Sequence, residues 1–171
     1  MIALTGHTSG IGKELYKSLG PSCLGFSKSE GYDITTKDGR CRIIDESKHC
    51  KIFINNACDN FGQSELLVDI FLKWHNLTKI IVNVGSRAAD DDYIIKSKEY
   101  FHFLTYQMYK RNLKNLCKDL SYAQSKLQIK YVSFGRVGTE KMLKKYPGST
   151  EHISVDTAVQ LIKNSFEGEI I

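Results

Sequence analysis

Leu4-Thr5-Gly6-His7-Thr8-Ser9-Gly10-Ile11-Gly12-Lys13 is the stretch that decides the fold. The apolar run before it, residues 1–5, reads as a strand. Residues 10–19 read as a helix with Ile11, Leu15 and Leu19 on one face, stopped by Gly20-Pro21. The glycines between strand and helix are spaced G-x-x-x-G-x-G, and each has a physical reason. Gly6 permits a tight turn off the strand, Gly10 lets a pyrophosphate approach the backbone, and Gly12 lets the helix pack closely on the sheet. The helix N-terminus adds free N–H groups and the positive end of a dipole. The plain alternative is a glycine-rich turn with no ligand; the strand before it and the helix after it weigh against that reading.

Working outward, residues 22–26 read as a second strand. Residues 51–55 and 79–84 are near-continuous apolar runs, as expected of strands buried on both faces. Residues 64–75 carry Leu66, Leu67, Ile70, Phe71 and Trp74 at helical spacing. Residues 98–121 form the longest helix, with Leu113, Leu116, Cys117 and Leu120 as its apolar seam. Residues 129–134 read as a strand and 155–166 as the last helix. Strands alternating with helices predict an α/β fold, a doubly wound parallel sheet with helices on both faces. Tyr32-Asp33-Ile34 follows the second strand almost at once. A length of 171 residues predicts a single domain.

Hydrophobic residues at 42% and charged residues at 25% exclude disorder and coiled coil. Lys+Arg 24 against Asp+Glu 19 gives +5, which suits anionic small molecules and is weak evidence for nucleic acid. No apolar run approaches the roughly 18 residues of a membrane helix, and the first residues lack the pattern of a signal peptide. A cytoplasmic protein is expected. The five Cys are scattered without a C-x-x-C pair and the five His without H-E-x-x-H, which predicts free thiols and no metal site.

The segment Thr5-Gly6-His7-Thr8-Ser9-Gly10-Ile11-Gly12 at the first βα turn resembles the short-chain dehydrogenase/reductase family, and further motifs follow in that family's order. Asn55-Asn56-Ala57-Cys58 looks like its N-N-A-G, with Cys58 replacing glycine. Gly85-Ser86 stands where the family places its catalytic serine, and Tyr106-Gln107-Met108-Tyr109-Lys110 matches Y-x-x-x-K. Ser133-Phe134-Gly135-Arg136-Val137-Gly138-Thr139 resembles P-G-x-V-x-T, with Phe134 replacing proline. The resemblance covers about residues 1–165 and implies a Rossmann-like nicotinamide-binding domain, an unusually short one: against the family's pattern the helix between strands two and three reads as deleted, strand three as rudimentary, and the C-terminal strand as a possible stub at residues 168–171. A second Y-x-x-x-K, Tyr122 and Lys126, lies a few residues before the last strand, at the wrong end of the helix, and reads as a solvated surface pair.

Tyr106 and Lys110 are spaced i, i+4 and share a helix face. A free phenol, with a pKa near 10, is a poor base at neutral pH, and an ammonium one turn away favours phenolate. The resemblance implies Tyr106 as general acid/base, Ser86 holding the substrate oxygen, and Lys110 tuning the phenol and bonding the nicotinamide ribose. For the family's catalytic asparagine, Asn60 is the candidate, with Gln63 as a possible polar anchor at the helix start. Cofactor contacts are expected from Gly6, Thr8, Ser9, Gly10, Ile11, Gly12, Asn56, Ala57, Val137 and Thr139, and from Asp33 and Ile34 at the adenine. Ser27 and Lys28 end the second strand without an acid, which favours NADP(H) over NAD(H). The reading is an NADP(H)-dependent oxidoreductase acting on a small-molecule carbonyl or alcohol. The alternatives are a cofactor sensor with a degenerate site and, on charge alone, a nucleic-acid binder. A homodimer or homotetramer through Leu67, Phe71, Trp74 and Phe103 is expected from the family. Tyr100, Phe101, Phe103 and Tyr109 are expected to pack in the core.

Overall fold

Three apolar runs, β1 (Ile2–Thr5), β3 (Ile52–Asn55) and β4 (Ile80–Val84), are buried at every residue, because each lies inside a sheet covered on both faces. The flanking strands β2 (Cys23–Phe26) and β5 (Gln128–Val132) are less buried, as edge strands are. All pairings are parallel and the order is β2-β1-β3-β4-β5. The chain steps from β1 outward to β2, then crosses back past β1 to β3 and continues outward. The loops after β1 and β3 therefore diverge, and the crevice between them at the C-terminal edge is where an open α/β sheet takes a ligand. The computed structural model describes residues 1–90 and 100–169.

Helices cover both faces. On one side α1 (Gly10–Leu19) and α6 (Val155–Asn164) bring Leu15, Val159 and Ile162 onto Leu4, Ile54 and Val82. On the other, α2 (Lys37–Glu46), α3 (Gly62–Trp74) and α4 (Tyr100–Ser121) bring Ile43, Leu66, Ile70, Trp74 and Leu113 onto Ala3, Phe53 and Ile81. A short helix, α5 (Glu140–Lys145), precedes α6 and is capped by Thr139 Oγ1, which accepts from the Met142 N–H. No helix among the described residues is long and apolar enough to cross a membrane.

Several expectations are corrected. No strand forms at Tyr32-Asp33-Ile34: Asp33 Oδ1 accepts from both the N–H and the hydroxyl of Thr35, which folds the segment into a turn. The helix α2 was not anticipated. It begins at Thr36, whose hydroxyl accepts from the Gly39 N–H at 3.1 Å, and it buries only Gly39, Ile43 and Ile44. In place of a C-terminal strand, Glu167–Glu169 is a 3-10 turn, and residues 170–171 lie outside the described ones. So do residues 98–99 of the expected long helix, and the side chains of Tyr100 and Phe101. The expected interface residues Leu67 and Trp74 are buried in the core, because α3 turns them toward the sheet.

Candidate active site

The glycine loop stands at the crevice. Gly6 and Gly10 have φ of 74° and 54°, a backbone region in which a side chain is strained. A Cβ on Gly12 would lie 2.1 Å from the Gly6 carbonyl oxygen, so glycine is what lets α1 close on the turn. Thr5 pins this loop to the end of β3. Its hydroxyl accepts from the N–H groups of Asn56 and Ala57, both at 3.0 Å, and the Asn56 side-chain amide donates to Thr5 O at 3.0 Å.

A cavity of about 330 Å³ opens on one side of this junction. Ser86, Tyr106 and Lys110 all line it, with Ile11, Asn56, Cys58, Phe103, Arg136, Val137 and Thr139. Ser86 follows β4 and caps a 3-10 turn, its Oγ accepting from the Ala88 N–H at 3.2 Å. Tyr106 and Lys110 come from the first half of α4. Tyr106 is exposed toward the cavity, and Lys110 Nζ lies 5.8 Å from its ring centroid.

Lys110 is only 3% exposed. Its Nζ donates to Gln63 Oε1 at 2.8 Å and to Val84 O at 3.0 Å, with the Cys58 thiol beside it. Gln63, at the start of α3, is fixed in turn: its amide donates to Asn55 O at 2.6 Å and Val84 O at 3.0 Å. None of these partners is a carboxylate. Burial therefore dominates and lowers the Lys110 pKa from its ordinary value.

A second cavity, of about 420 Å³, lies across the loop. Gly6, Thr8, Ser9, Ser27, Lys28, Asp33, Ile34 and Ala57 line it, and it shares Asn56 and Cys58 with the first. The two form one groove over the switch point. Lys28, expected to be free for a 2′-phosphate, is not. Its Nζ is 3.0 Å from Asp33 Oδ2 and 2.9 Å from Asp59 Oδ2. Those two carboxylates raise the Lys28 pKa, and the Thr35 hydrogen bonds, with Lys28, pull Asp33 down to about 2.

The anticipated site residues thus converge on the groove, with three exceptions. Gly10 and Gly12 sit beneath it; a Cβ on Gly10 would point at Thr139, 3.8 Å from its methyl group. Asn60 is not brought in: its Oδ1 accepts from the Tyr109 hydroxyl at 3.2 Å, outside either cavity. Tyr109 packs edge-on against exposed Phe61 rather than in the core, and Phe103 lines the first cavity. Tyr122 is 77% exposed, beyond the far end of α4, where the Lys126 N–H donates to His75 O. Gln63, expected as a possible polar anchor, is brought to the site through Lys110, and Thr5 and Asp59 contribute contacts that motif reading missed. Among the described residues no group of three or more His, Cys, Asp or Glu could hold a metal ion.

No family profile and no curated protein matches the sequence. Solved structures do. The chain is similar to a short-chain dehydrogenase from Burkholderia cenocepacia in complex with NADP, at 19% identity over 98% of this chain and 84% of that one, with a TM-score of 0.76. It is also similar to a 3-ketoacyl-(acyl-carrier-protein) reductase from Brucella melitensis complexed with NADH, at 14% identity over 99% and 92%, TM-score 0.69. A 4-hydroxyisoleucine dehydrogenase complexed with NADH and succinate matches at 15% identity over 100% and 94%, TM-score 0.71. From the glycine loop to the last helix, the chain has the fold of the short-chain dehydrogenase/reductases.

Proposed function

We propose that the protein is an NAD(P)-dependent oxidoreductase of the short-chain dehydrogenase type, acting on a carbonyl/alcohol pair with Tyr106 as general acid/base. The observation that carries this is the convergence of Ser86, Tyr106 and Lys110 on one cavity that continues into the cavity of the glycine loop. The residues present fit a nicotinamide dinucleotide. Positive φ at Gly6 and Gly10 shapes a cradle that a side chain would fill, and the loop opens onto both cavities. Thr8, Ser9 and the first turn of α1 would hold the pyrophosphate, Asp33, Ile34 and Ala57 the adenosine, and Val137, Thr139 and Lys110 the nicotinamide riboside.

When bound, the dinucleotide supplies or accepts the hydride. The chain's own groups handle the proton. Ser86 Oγ hydrogen-bonds the substrate oxygen and holds it against Tyr106. In reduction the Tyr106 hydroxyl gives its proton to that oxygen; in oxidation it takes the proton back. The Lys110 ammonium, with no carboxylate among its bonded partners, keeps its positive field for the phenol. NADP(H), which Ser27 and Lys28 taken alone favour, would have to share Lys28 with its two carboxylates.

A second reading, cofactor sensing without turnover, draws support from Lys110, whose ammonium already has Gln63 and Val84 O as partners. Oxidation of NADH and NADPH against a panel of aldehydes and ketones, alongside thermal shift with each cofactor, tests both. Stabilisation with turnover supports the enzyme, stabilisation without turnover supports the sensor, and neither effect removes both.

A further inference from the structure

The charges at the adenosine end of the groove decide which dinucleotide fits, an inference that rests on the dinucleotide reading above. The second cavity is lined by one cation, Lys28, and two anions, Asp33 and Asp59. Both carboxylates lie within 3.0 Å of the ammonium, which leaves a local charge of −1. The two acids come from different places. Asp33 follows β2 and is fixed by Thr35, whereas Asp59 reaches over from the loop after β3, 31 positions away from Lys28.

A 2′-phosphate carries a charge of roughly −1.5 to −2 at neutral pH. To be bound by Lys28 it must take the ammonium's third donor or displace a carboxylate, and in either case it sits beside both acids. No second cation lines the cavity among the described residues to offset them. A 2′-hydroxyl meets no such repulsion: it is a neutral donor, and a carboxylate is the acceptor it needs. We propose that Asp59 is a specificity-determining residue that, by holding Lys28 from across the groove, makes this site prefer NAD(H) over NADP(H). Asp59 acts through Lys28 and is thus a positioning residue; the discrimination is a repulsive element built against the phosphorylated cofactor.

Dissociation constants for NADH and NADPH, from nicotinamide fluorescence titrations of the unmodified protein, Asp59→Asn and Asp59→Glu, test this without any turnover. NADH should bind at least about tenfold more tightly than NADPH in the unmodified protein. Asp59→Asn should shift that ratio toward NADPH by about tenfold, through tighter NADPH binding, and Asp59→Glu should restore the original ratio. Adding Lys28→Met to Asp59→Asn should remove the gain, a result that a general loosening of the loop would not give. Tighter binding of NADPH by the unmodified protein, or a ratio that Asp59→Asn leaves unmoved, overturns the inference alone. Failure of both cofactors to bind overturns the dinucleotide reading and this inference with it.

Discussion

The two ends of the groove treat a lysine in opposite ways. Lys110 lies buried among neutral acceptors, whereas Lys28 is exposed and shared by two carboxylates. Keeping an ammonium dry without a counter-ion is unfavourable, and the lowered pKa of Lys110 records that cost. On the function proposed, what it secures is a positive charge 5.8 Å from the Tyr106 ring centroid. Around Lys28 the charge is taken up by neighbours, in water, at a place where pairs rearrange cheaply. On the proposals above, one end serves the chemistry and the other sorts ligands.

The largest effect that could break this contrast is on turnover. Tyr106→Phe removes one hydroxyl from a side chain at the cavity wall and keeps the ring. It should lower turnover by about 10²–10⁴ while leaving the cofactor dissociation constant nearly unchanged. Tyr122→Phe, at the exposed far end of α4, should do neither. Loss of turnover in Tyr122→Phe with activity retained in Tyr106→Phe would move the chemistry to the other end of the sheet.

Next is stability at the buried lysine. Gln63→Leu removes the acceptor of one Lys110 hydrogen bond and should destabilise the fold by about 1–3 kcal/mol at pH 7. The sign with pH follows from the lowered pKa. Between the folded-state value and 10.5 the unfolded chain binds the Lys110 proton more readily than the native one, so this group's contribution to stability rises with pH. A neutral amine needs its acceptor less, so the gap between variant and parent should narrow from pH 7 to pH 10. Cys23, Cys117 and Tyr131, which burial pushes up to about 12, act in the opposite direction but equally in both proteins. Urea midpoints at the two pH values measure the gap; one that widens would mean Gln63 supports something other than the ammonium.

This difference between the ends also explains what could be read in advance. The strands of the central sheet were legible because β1, β3 and β4 are apolar at nearly every position, and α1 because its glycines and Pro21 mark both ends. The helix α2 was illegible because seven of its ten residues are charged or glycine, and only Ile43 and Ile44 point inward as apolar side chains. In the groove, Ser86, Tyr106, Lys110, Val137 and Thr139 could be placed from motif order, since the order of strands fixes which loops share an edge. The partners of the two lysines could not. Gln63 is 47 positions from Lys110 and Asp59 is 31 from Lys28, and nothing local in either segment marks the pairing. Asn60 shows the converse: a residue of the expected type whose Oδ1 accepts from the Tyr109 hydroxyl, outside either cavity.

Cys58 sharpens the comparison because it lines both cavities. Cys41 and Cys58 are exposed, whereas Cys23, Cys50 and Cys117 are buried with raised pKa values, so a thiol reagent reaches only the first two in the native fold. Native protein at pH 8 should take up two equivalents of a thiol reagent, and unfolded protein five. A saturating dinucleotide should protect Cys58 and leave Cys41 reactive, as read by mass spectrometry of the labelled peptides. Equal protection of both, or of neither, would mean that the cofactor does not cross the junction of the cavities.

The smallest effect is expected at the ion pairs of the adenosine end. Lys28→Met breaks both contacts with Asp33 and Asp59, yet it should leave the thermal midpoint almost where it was. The Lys28 side chain is 64% exposed and the Asp59 side chain 40%, so water replaces each lost partner. Exposed pairs also lose side-chain freedom when they form, and salt screens what attraction remains. Asp33 keeps its bonds to Thr35 without the lysine, so the turn that follows β2 survives. Added salt should accordingly change the midpoints of parent and variant alike. A large drop in the midpoint of Lys28→Met at low salt would place this network among the supports of the fold, and the two ends of the groove would then differ less than their burial suggests.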